Sequence, residues 1–292
     1  MYRPRDLDDA LRFLHENSPG VKPLAGGTEL LVLIKDRKIE TPRYLLDLSP
    51  LRKELSYVKR EKGVVKIGAL TTLWELSKTF LHSEPRYGGF VDTWKSFGTL
   101  AIRFSATVGG NVASATQYSD YITTLLVYDA EVETASIRGR RVIPLEKLLE
   151  DKRKLAISPD EIIVEIRFKE PPANTGSAFL KFDRRRQLIA GIVTGAFLVS
   201  VDSGRLTDVR VAFDMVREKK IPARARRVEE FLRGRELSEE NLAKAAEEIL
   251  PSEMARVDDW WTTAEYRLEM SKTILKRGID LASRRARGER VA

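Results

Sequence analysis

Apolar positions along this chain recur in two periods, and the changes of period mark its elements. Asp6 stands before an apolar face at Leu7, Ala10, Leu11 and Leu14, the spacing of a helix behind an acidic cap. The short apolar run Val21 to Leu24 predicts a strand. After Ala25-Gly26-Gly27-Thr28, helical spacing returns at Leu30, Leu31, Leu33 and Ile34, so this stretch reads strand, glycine turn, helix. Tyr44 to Leu48 reads as a strand. Leu55 to Lys59 and Val64 to Gly68 read as a hairpin around Arg60-Glu61-Lys62-Gly63. Thr71 or Thr72 caps a helix expected to run through Leu81, and a short helix is expected over Phe90 to Phe97.

A second glycine turn is expected at Thr107-Val108-Gly109-Gly110-Asn111, again after an extended segment. Asp120 to Tyr128 then reads as a helix, Glu131 to Ser136 and Arg140 to Ile143 as paired strands, and Glu161 to Lys169 as a strand. Glu170-Pro171-Pro172-Ala173-Asn174-Thr175-Gly176 interrupts both periods and is the domain boundary the pattern favours. Beyond it, Ser177 to Phe182, Gly191 to Val201 and Leu206 to Met215 predict an antiparallel sheet, with Asp202-Ser203-Gly204 turning between the last two. Helical patterns around Ala223 to Leu232, Ser238 to Leu250 and Ala264 to Arg285 finish the chain. Tyr266, Met270 and Ile274 form a stripe on the last that faces a core rather than a cofactor. The expected fold class is α+β. Its first part is 1–172, with subdomains at about 1–55 and 56–172; a smaller part at 176–285 has an antiparallel sheet and helices, and a basic tail covers 286–292.

Composition narrows the chemistry. The 292 residues include no cysteine and two histidines, His15 and His82, which excludes disulfides, zinc ribbons, a thiolate nucleophile and thiolate-ligated iron–sulfur clusters on this chain. A multi-histidine metal site is not expected either. Met1 to Asn17 carries Asp6, Asp8, Asp9 and Glu16 without an apolar core, so it does not read as a signal peptide. The longest uncharged apolar stretch, Gln187 to Val201, is shorter than the roughly 20 residues a membrane helix needs. A cytoplasmic protein without a membrane span is expected.

The net charge is +8, and the last 17 residues carry +4 of it. Arg184-Arg185-Arg186 forms a second basic knot. Such runs suit nucleic acid or another anionic partner. They also suit the solvated end of a final helix, where cations oppose the dipole. No RNA-recognition fingerprint, zinc finger or aromatic interleaving accompanies them, so nucleic-acid binding is the lesser reading.

The two double-glycine segments carry the main chemical signal. Glycine admits positive φ and lets a ligand approach the backbone, where successive N–H groups beside a helix start can cradle an anion. Two such turns could clamp the two phosphates of a dinucleotide. Neither matches G-x-G-x-x-G or G-x-x-x-x-G-K-[ST], which disfavours a standard dinucleotide fold and a P-loop ATPase.

Pro23-Leu24-Ala25-Gly26-Gly27-Thr28-Glu29-Leu30-Leu31 and Ala106-Thr107-Val108-Gly109-Gly110-Asn111-Val112-Ala113-Ser114-Ala115, with Ser119-Asp120 nine residues after Gly110, resemble the FAD-binding medium subunit of the molybdenum hydroxylases, of the carbon monoxide and xanthine dehydrogenase type. Gly98-Thr99-Leu100-Ala101-Ile102-Arg103, Asp160-Glu161-Ile162-Ile163, Ser177-Ala178-Phe179-Leu180-Lys181 and Ala264-Glu265-Tyr266-Arg267 extend the resemblance over nearly the whole length. It implies a two-part FAD-binding domain of the vanillyl-alcohol-oxidase-like type over 1–172. Ala25, Gly26, Gly27, Thr28 and Glu29, with the segment Thr107 to Asn111 that includes Gly109 and Gly110, would bind the FAD pyrophosphate, largely through backbone donors, and Leu24, Leu30, Ala106 and Ser114 would be further cofactor-binding residues. Asp120 would accept from a sugar or ribityl hydroxyl, unless it only caps its helix. Phe97 would cover the isoalloxazine or serve as ordinary core. Ile162 and Ile163 would line the adenine or ring pocket, and Lys181 would stand near the flavin pyrimidine edge.

The sequence departs from the family pattern at Leu188-Ile189-Ala190, where many members carry Asp and then Tyr or Ile before Ala. No histidine lies in either glycine segment, so non-covalent FAD is expected. The resemblance further implies a molybdopterin-binding large subunit and a 2Fe-2S small subunit as partners. Electrons would pass from the iron–sulfur clusters through FAD to an external acceptor. A stand-alone FAD-dependent oxidase is the alternative, and it would need a substrate pocket and a base that no residue pattern supplies.

Overall fold

The computed structural model describes residues 1–183, 191–214, 221–255, 258–259 and 262–289. Arg184 to Arg186, Leu188-Ile189-Ala190, Met215 and the last three residues of the expected tail lie outside the described residues. Helix α1 (Leu7–Asn17) has the cap its sequence announces, with the Asp6 carboxylate accepting from the Asp9 N–H at 2.8 Å. Then come β1 (Val21–Leu24), α2 (Leu30–Lys35) and β2 (Tyr44–Asp47), with β1 and β2 paired in parallel, Val21 opposite Tyr44.

Leu55 does not open a strand. It ends a helical turn, α3 (Arg52–Leu55), and the hairpin is β3 (Val58–Glu61) with β4 (Val64–Gly68), turning through Lys62 and Gly63 at positive φ. The helix expected through Leu81 stops early, because α4 covers only Leu73–Leu76 and a separate 3-10 turn covers Phe80–His82. Helix α5 (Gly88–Ser96) follows, then α6 (Leu100–Ser105) and α7 (Val108–Ser114). The second glycine pair is therefore not a turn after an extended segment. Gly109 and Gly110 sit in the first turn of a helix, with another helix just before it.

After α8 (Asp120–Leu126), β5 (Glu131–Ser136) pairs with β6 (Gly139–Pro144). Helix α9 (Leu145–Leu148) leads to a small hairpin, β7 (Leu149–Asp151) and β8 (Lys154–Leu155), and then to β9 (Ile162–Lys169). Strands β10 (Thr175–Phe182), β11 (Val193–Asp202) and β12 (Arg205–Asp214) are antiparallel, and β13 (Ala223–Arg224) adds to β12. Ala223 thus belongs to a strand and not to helix α10 (Arg226–Leu232). Helix α11 (Glu239–Lys244) runs into a π-helical turn, Ala245–Ile249, and α12 (Ala264–Ala286) closes the fold. On α12, Ile274 is buried and Met270 packs at the edge of the core, but Tyr266 is 42% exposed, so the expected stripe starts one turn late.

The mixed α+β chain forms two compact units. The first comprises 1–76, 99–115 and 130–170; the second comprises 77–98, 116–129 and 171–292. In the first, a five-stranded sheet has the order β3-β4-β9-β5-β6 with antiparallel neighbours, and α1 packs Leu7, Ala10, Leu11 and Leu14 into a core with Leu46, Leu51, Ile162 and Val164. In the second, the sheet β10-β11-β12-β13 packs against α12, around Phe197, Phe213, Ile274 and Ile279. Helices α5 and α8 pack on that same sheet, although both lie well before the proline-rich boundary in sequence. Among the described residues no helix is long and apolar enough to cross a membrane, and no cluster of three or more acidic or histidine side chains could hold a metal ion.

Candidate functional site

In the first unit, β1 delivers the first glycine segment. Leu24 is buried at the strand end, and Gly27 then takes φ +71°, a left-handed conformation that glycine adopts without a steric penalty. Gly26 is required by close approach instead, since a Cβ there would lie 1.9 Å from the Ser105 carbonyl oxygen at the end of α6. The first segment is thus seated directly on the chain leading into the second. Among the described residues, the backbone N–H groups of Gly26, Gly27, Thr28 and Glu29 have no acceptor. The Leu31 N–H donates to Gly27 O at 3.1 Å and starts α2. None of the α2 side chains is buried, so its apolar run, Leu30 included, is not a core face.

The second segment is braced from behind. The Val108 N–H donates to Thr71 O at 3.0 Å and the Gly109 N–H to Ala69 O at 2.9 Å. The Gly110 N–H donates to Thr107 Oγ1 at 3.1 Å and the Asn111 N–H to Thr107 O at 2.9 Å. The Val108 to Asn111 donors expected from this segment are therefore engaged inside the protein, and among the described residues only the Thr107 N–H of the five lacks an acceptor. Gly109 lies tight on Ala69, where a Cβ would meet the Ala69 Cβ at 2.6 Å. Gly110 is open by comparison. Beyond its own cap oxygen at 2.8 Å, an added Cβ would meet only the Ala25 Cβ, at 3.9 Å.

The Asn111 side chain offers an acceptor rather than a donor. It is 8% exposed, and its Oδ1 is buried with no hydrogen-bond partner among the described residues. An orphaned buried amide costs free energy unless something pairs with it. Ser114 donates through Oγ to Asn111 O at 2.9 Å, and Ala106 is buried beside Thr107. Four free amides and a glycine surface without Cβ atoms form a cradle for an anion, and the Asn111 Oδ1 acceptor beside it suits a hydrogen-bond donor on the same ligand.

Ile162 and Ile163 open β9, the strand on which α7 packs, at 3% and 8% exposure; Ile162 is part of the α1 core. Sequence reasoning missed two neighbours of the cradle. One is Arg153 at the tip of the β7–β8 hairpin, whose guanidinium lies 3.1 Å from the Glu29 carboxylate. The other is a cleft of about 390 Å³ beside Ala25, Gly26 and Thr107, with the Trp74 and Phe104 rings in tilted contact at 4.3 Å and Arg52 paired to Glu75 at 2.6 Å. Neither carries a motif; both arise from contacts between segments far apart in sequence.

In the second unit, Asp120 begins α8 one residue inside the Ser119 cap position, and Ser119 makes no side-chain cap bond there. The Asp120 carboxylate accepts from Lys181 Nζ at 2.8 Å, with side-chain exposures of 2% and 6%. Burial pushes the Asp120 carboxyl above the ordinary carboxylate range, and the Lys181 ammonium pulls it back. Two residues with separate expected roles are thus one ion pair. Thr194, opposite Lys181 on β11, adds a buried hydroxyl with no partner among the described residues. Phe97 follows α5 at 8% exposure, with its ring edge-on to Tyr121 at 5.8 Å.

Comparison with known proteins adds the family context. Residues 1–170 match the family described as FAD binding domain in molybdopterin dehydrogenase, and residues 177–282 match the CO dehydrogenase flavoprotein C-terminal domain. A xanthine dehydrogenase FAD-binding subunit of Escherichia coli is 28% identical over 99% of this chain and 97% of its own. The 6-hydroxypseudooxynicotine dehydrogenase complex subunit alpha of Paenarthrobacter nicotinovorans is 30% identical over 96% of this chain and 93% of its own. Among solved structures, reconstituted CO dehydrogenase from Oligotropha carboxidovorans matches with a TM-score of 0.90 at 27% identity, over 97% of this chain and 96% of that one.

Proposed function

This chain belongs to the FAD-binding domain family of the molybdopterin dehydrogenases, and from that premise we propose that it is the flavoprotein subunit of a multi-subunit molybdenum hydroxylase, holding FAD at its two glycine segments. The observation that carries the residue assignment is the row of acceptor-free N–H groups from Gly26 to Glu29, set beside the orphaned Oδ1 of Asn111. These groups fit a pyrophosphate with polar atoms attached. The amides of Gly26, Gly27, Thr28 and Glu29 would donate to phosphate oxygens, Gly110 would admit close approach, and Asn111 Oδ1 would accept from a donor elsewhere on the ligand. Thr107 and Ser114 hold the second segment in shape through their side chains, Thr107 Oγ1 accepting from the Gly110 N–H and Ser114 Oγ donating to Asn111 O.

In the second unit, the Asp120–Lys181 pair is the candidate polar contact for the flavin, with Lys181 Nζ fixed 2.8 Å from the Asp120 carboxylate. Phe97 and the paired Ile162 and Ile163 contribute apolar surface in their respective units. When bound, FAD supplies the redox chemistry, which requires no nucleophile or general acid from the chain. The protein's part is to bind it, orient it and set its electrostatics.

Relatives named as subunits of a dehydrogenase complex support partners for this chain as well. The partners are a molybdopterin-binding large subunit and a 2Fe-2S small subunit, with an external acceptor for the electrons. The 292 residues hold no cysteine, so thiolate-ligated clusters belong to another chain. A cytoplasmic location goes with this reading. The family match covers both parts of the chain and leaves no support for a nucleic-acid-binding module. The test is to purify the native complex through this chain and assay molybdenum, iron and FAD together. All three co-purifying is the expected result; FAD without molybdenum or iron would contradict the assignment.

A further inference from the structure

The β7–β8 hairpin touches both glycine segments through one residue. Arg153 stands at its tip with φ +60°, a left-handed conformation unfavourable for a residue with a side chain. Its N–H donates to Ala115 O at 2.9 Å. Ala115 is the residue that ends α7, and it too is left-handed, at φ 42° and ψ 52°. The Arg153 guanidinium reaches the other segment, with Nη2 donating to Glu29 Oε1 at 3.1 Å across 124 residues of sequence. Two strained non-glycine residues, bonded to each other, persist only where the surrounding structure holds them, and such strain gathers at functional sites.

We infer that Arg153 is a positioning residue for the cofactor, fixing the spacing between the free amides of the first glycine segment and the Asn111 helix of the second. The inference rests on the reading that these segments hold the FAD pyrophosphate. Its backbone bond fixes the end of α7, and its side chain fixes Glu29, which belongs to the row of acceptor-free N–H groups. Geometry of this kind is worth having before the ligand arrives, because ordering a flexible loop at the moment of binding lowers affinity. Side-chain exposures of 42% for Arg153 and 29% for Glu29 make the ion pair modest and sensitive to salt.

FAD titration of the FAD-depleted chain, at low and high salt, tests this. Arg153→Ala and Glu29→Gln should each weaken FAD by about three- to five-fold, with the double variant no worse than either alone. Arg153→Glu sets two carboxylates together and should lose more. Combining Arg153→Glu with Glu29→Arg should restore most of the affinity, and the differences should shrink at high salt. A purely structural role would lower the melting temperature of the FAD-free chain without this charge-swap rescue. Gly110→Val in the same titration separates the two ideas. If it loses FAD while the Arg153 variants bind like wild type, or if the swap gives no rescue, the positioning role is wrong. If Gly110→Val itself binds FAD normally, the pyrophosphate reading fails and the positioning role falls with it.

Discussion

Lys181 Nζ donates to Asp120 Oδ2 at 2.8 Å, tying strand β10 to the first turn of α8 with both side chains almost wholly buried. A buried pair of this kind is costly to break by halves, because the charge left behind has neither water nor partner.

Asp120→Ala therefore tests folding as well as flavin retention. The lone Lys181 ammonium should destabilise the FAD-free chain by about 3–5 kcal/mol, as read from urea unfolding. Asp120→Ala combined with Lys181→Met should recover most of that stability, since it removes both charges. Equal stability of the Asp120→Ala variant and wild type would mean that the pair is not a buried ion pair in solution.

Gly26 in the first segment and Gly110 in the second should respond in opposite ways. Gly26→Ala drives a Cβ into the Ser105 carbonyl oxygen, so it should lower the melting temperature of the FAD-free chain. Gly110→Ala meets only the Thr107 cap oxygen and, at 3.9 Å, the Ala25 Cβ. It should fold, at a cost of about 1 kcal/mol for a disturbed cap, and bind FAD at least ten-fold more weakly. Full FAD affinity in a folded Gly110→Ala chain would remove Gly110 from the cradle.

Asn111→Leu separates ligand binding from stability. Replacing an unsatisfied buried amide by an apolar group of similar size should stabilise the FAD-free chain by about 1 kcal/mol. The same change should weaken FAD by about ten-fold, since the group that pairs with the amide is then left without it. A variant that melts higher and still binds FAD like wild type would make Asn111 a structural oddity.

Local pattern revealed the first glycine segment and left the second half-hidden. Val21–Leu24 and Leu30–Lys35 declare themselves by period, so strand, turn and helix were legible there. Gly109 and Gly110 read as a turn because glycine is a poor helix former. They start a helix because Thr107 caps it and because Thr71 and Ala69 accept the first two N–H groups, contacts some forty residues away in sequence that no window contains. The same limit hid the Asp120–Lys181 pair, which joins residues 61 apart. It hid too the placement of 77–98 and 116–129, which pack with the C-terminal sheet. The apolar run of α2 misled in the other direction, since helical spacing promised a buried face and none of its side chains is buried.

Acid should weaken the first unit through Asp160. Arg138 grips this carboxylate with both Nη atoms, and His15 Nδ1 lies 3.0 Å away. These contacts hold its carboxyl well below the ordinary range. A depressed carboxylate pKa stabilises the fold above the unfolded-state value of about 3.9, and that stability is lost as pH falls through the folded-state value. Asp160→Asn should therefore melt about 2–4 °C below wild type at pH 7, and the gap should close towards pH 2. A gap that stays constant with pH would show that the carboxylate charge is not what holds this corner.

On the proposed reading, the two glycine segments of this chain hold FAD without a covalent bond. The most direct measurement is the flavin stoichiometry of the purified chain, before and after denaturation, followed by titration of the FAD-depleted chain with FAD. The expected result is a yellow protein that carries a single FAD per chain, releases it intact on denaturation, takes it up again to the same stoichiometry, and fails to do so as Gly110→Val. A colourless chain that does not take up added FAD, or a Gly110→Val chain that retains full occupancy, would contradict it.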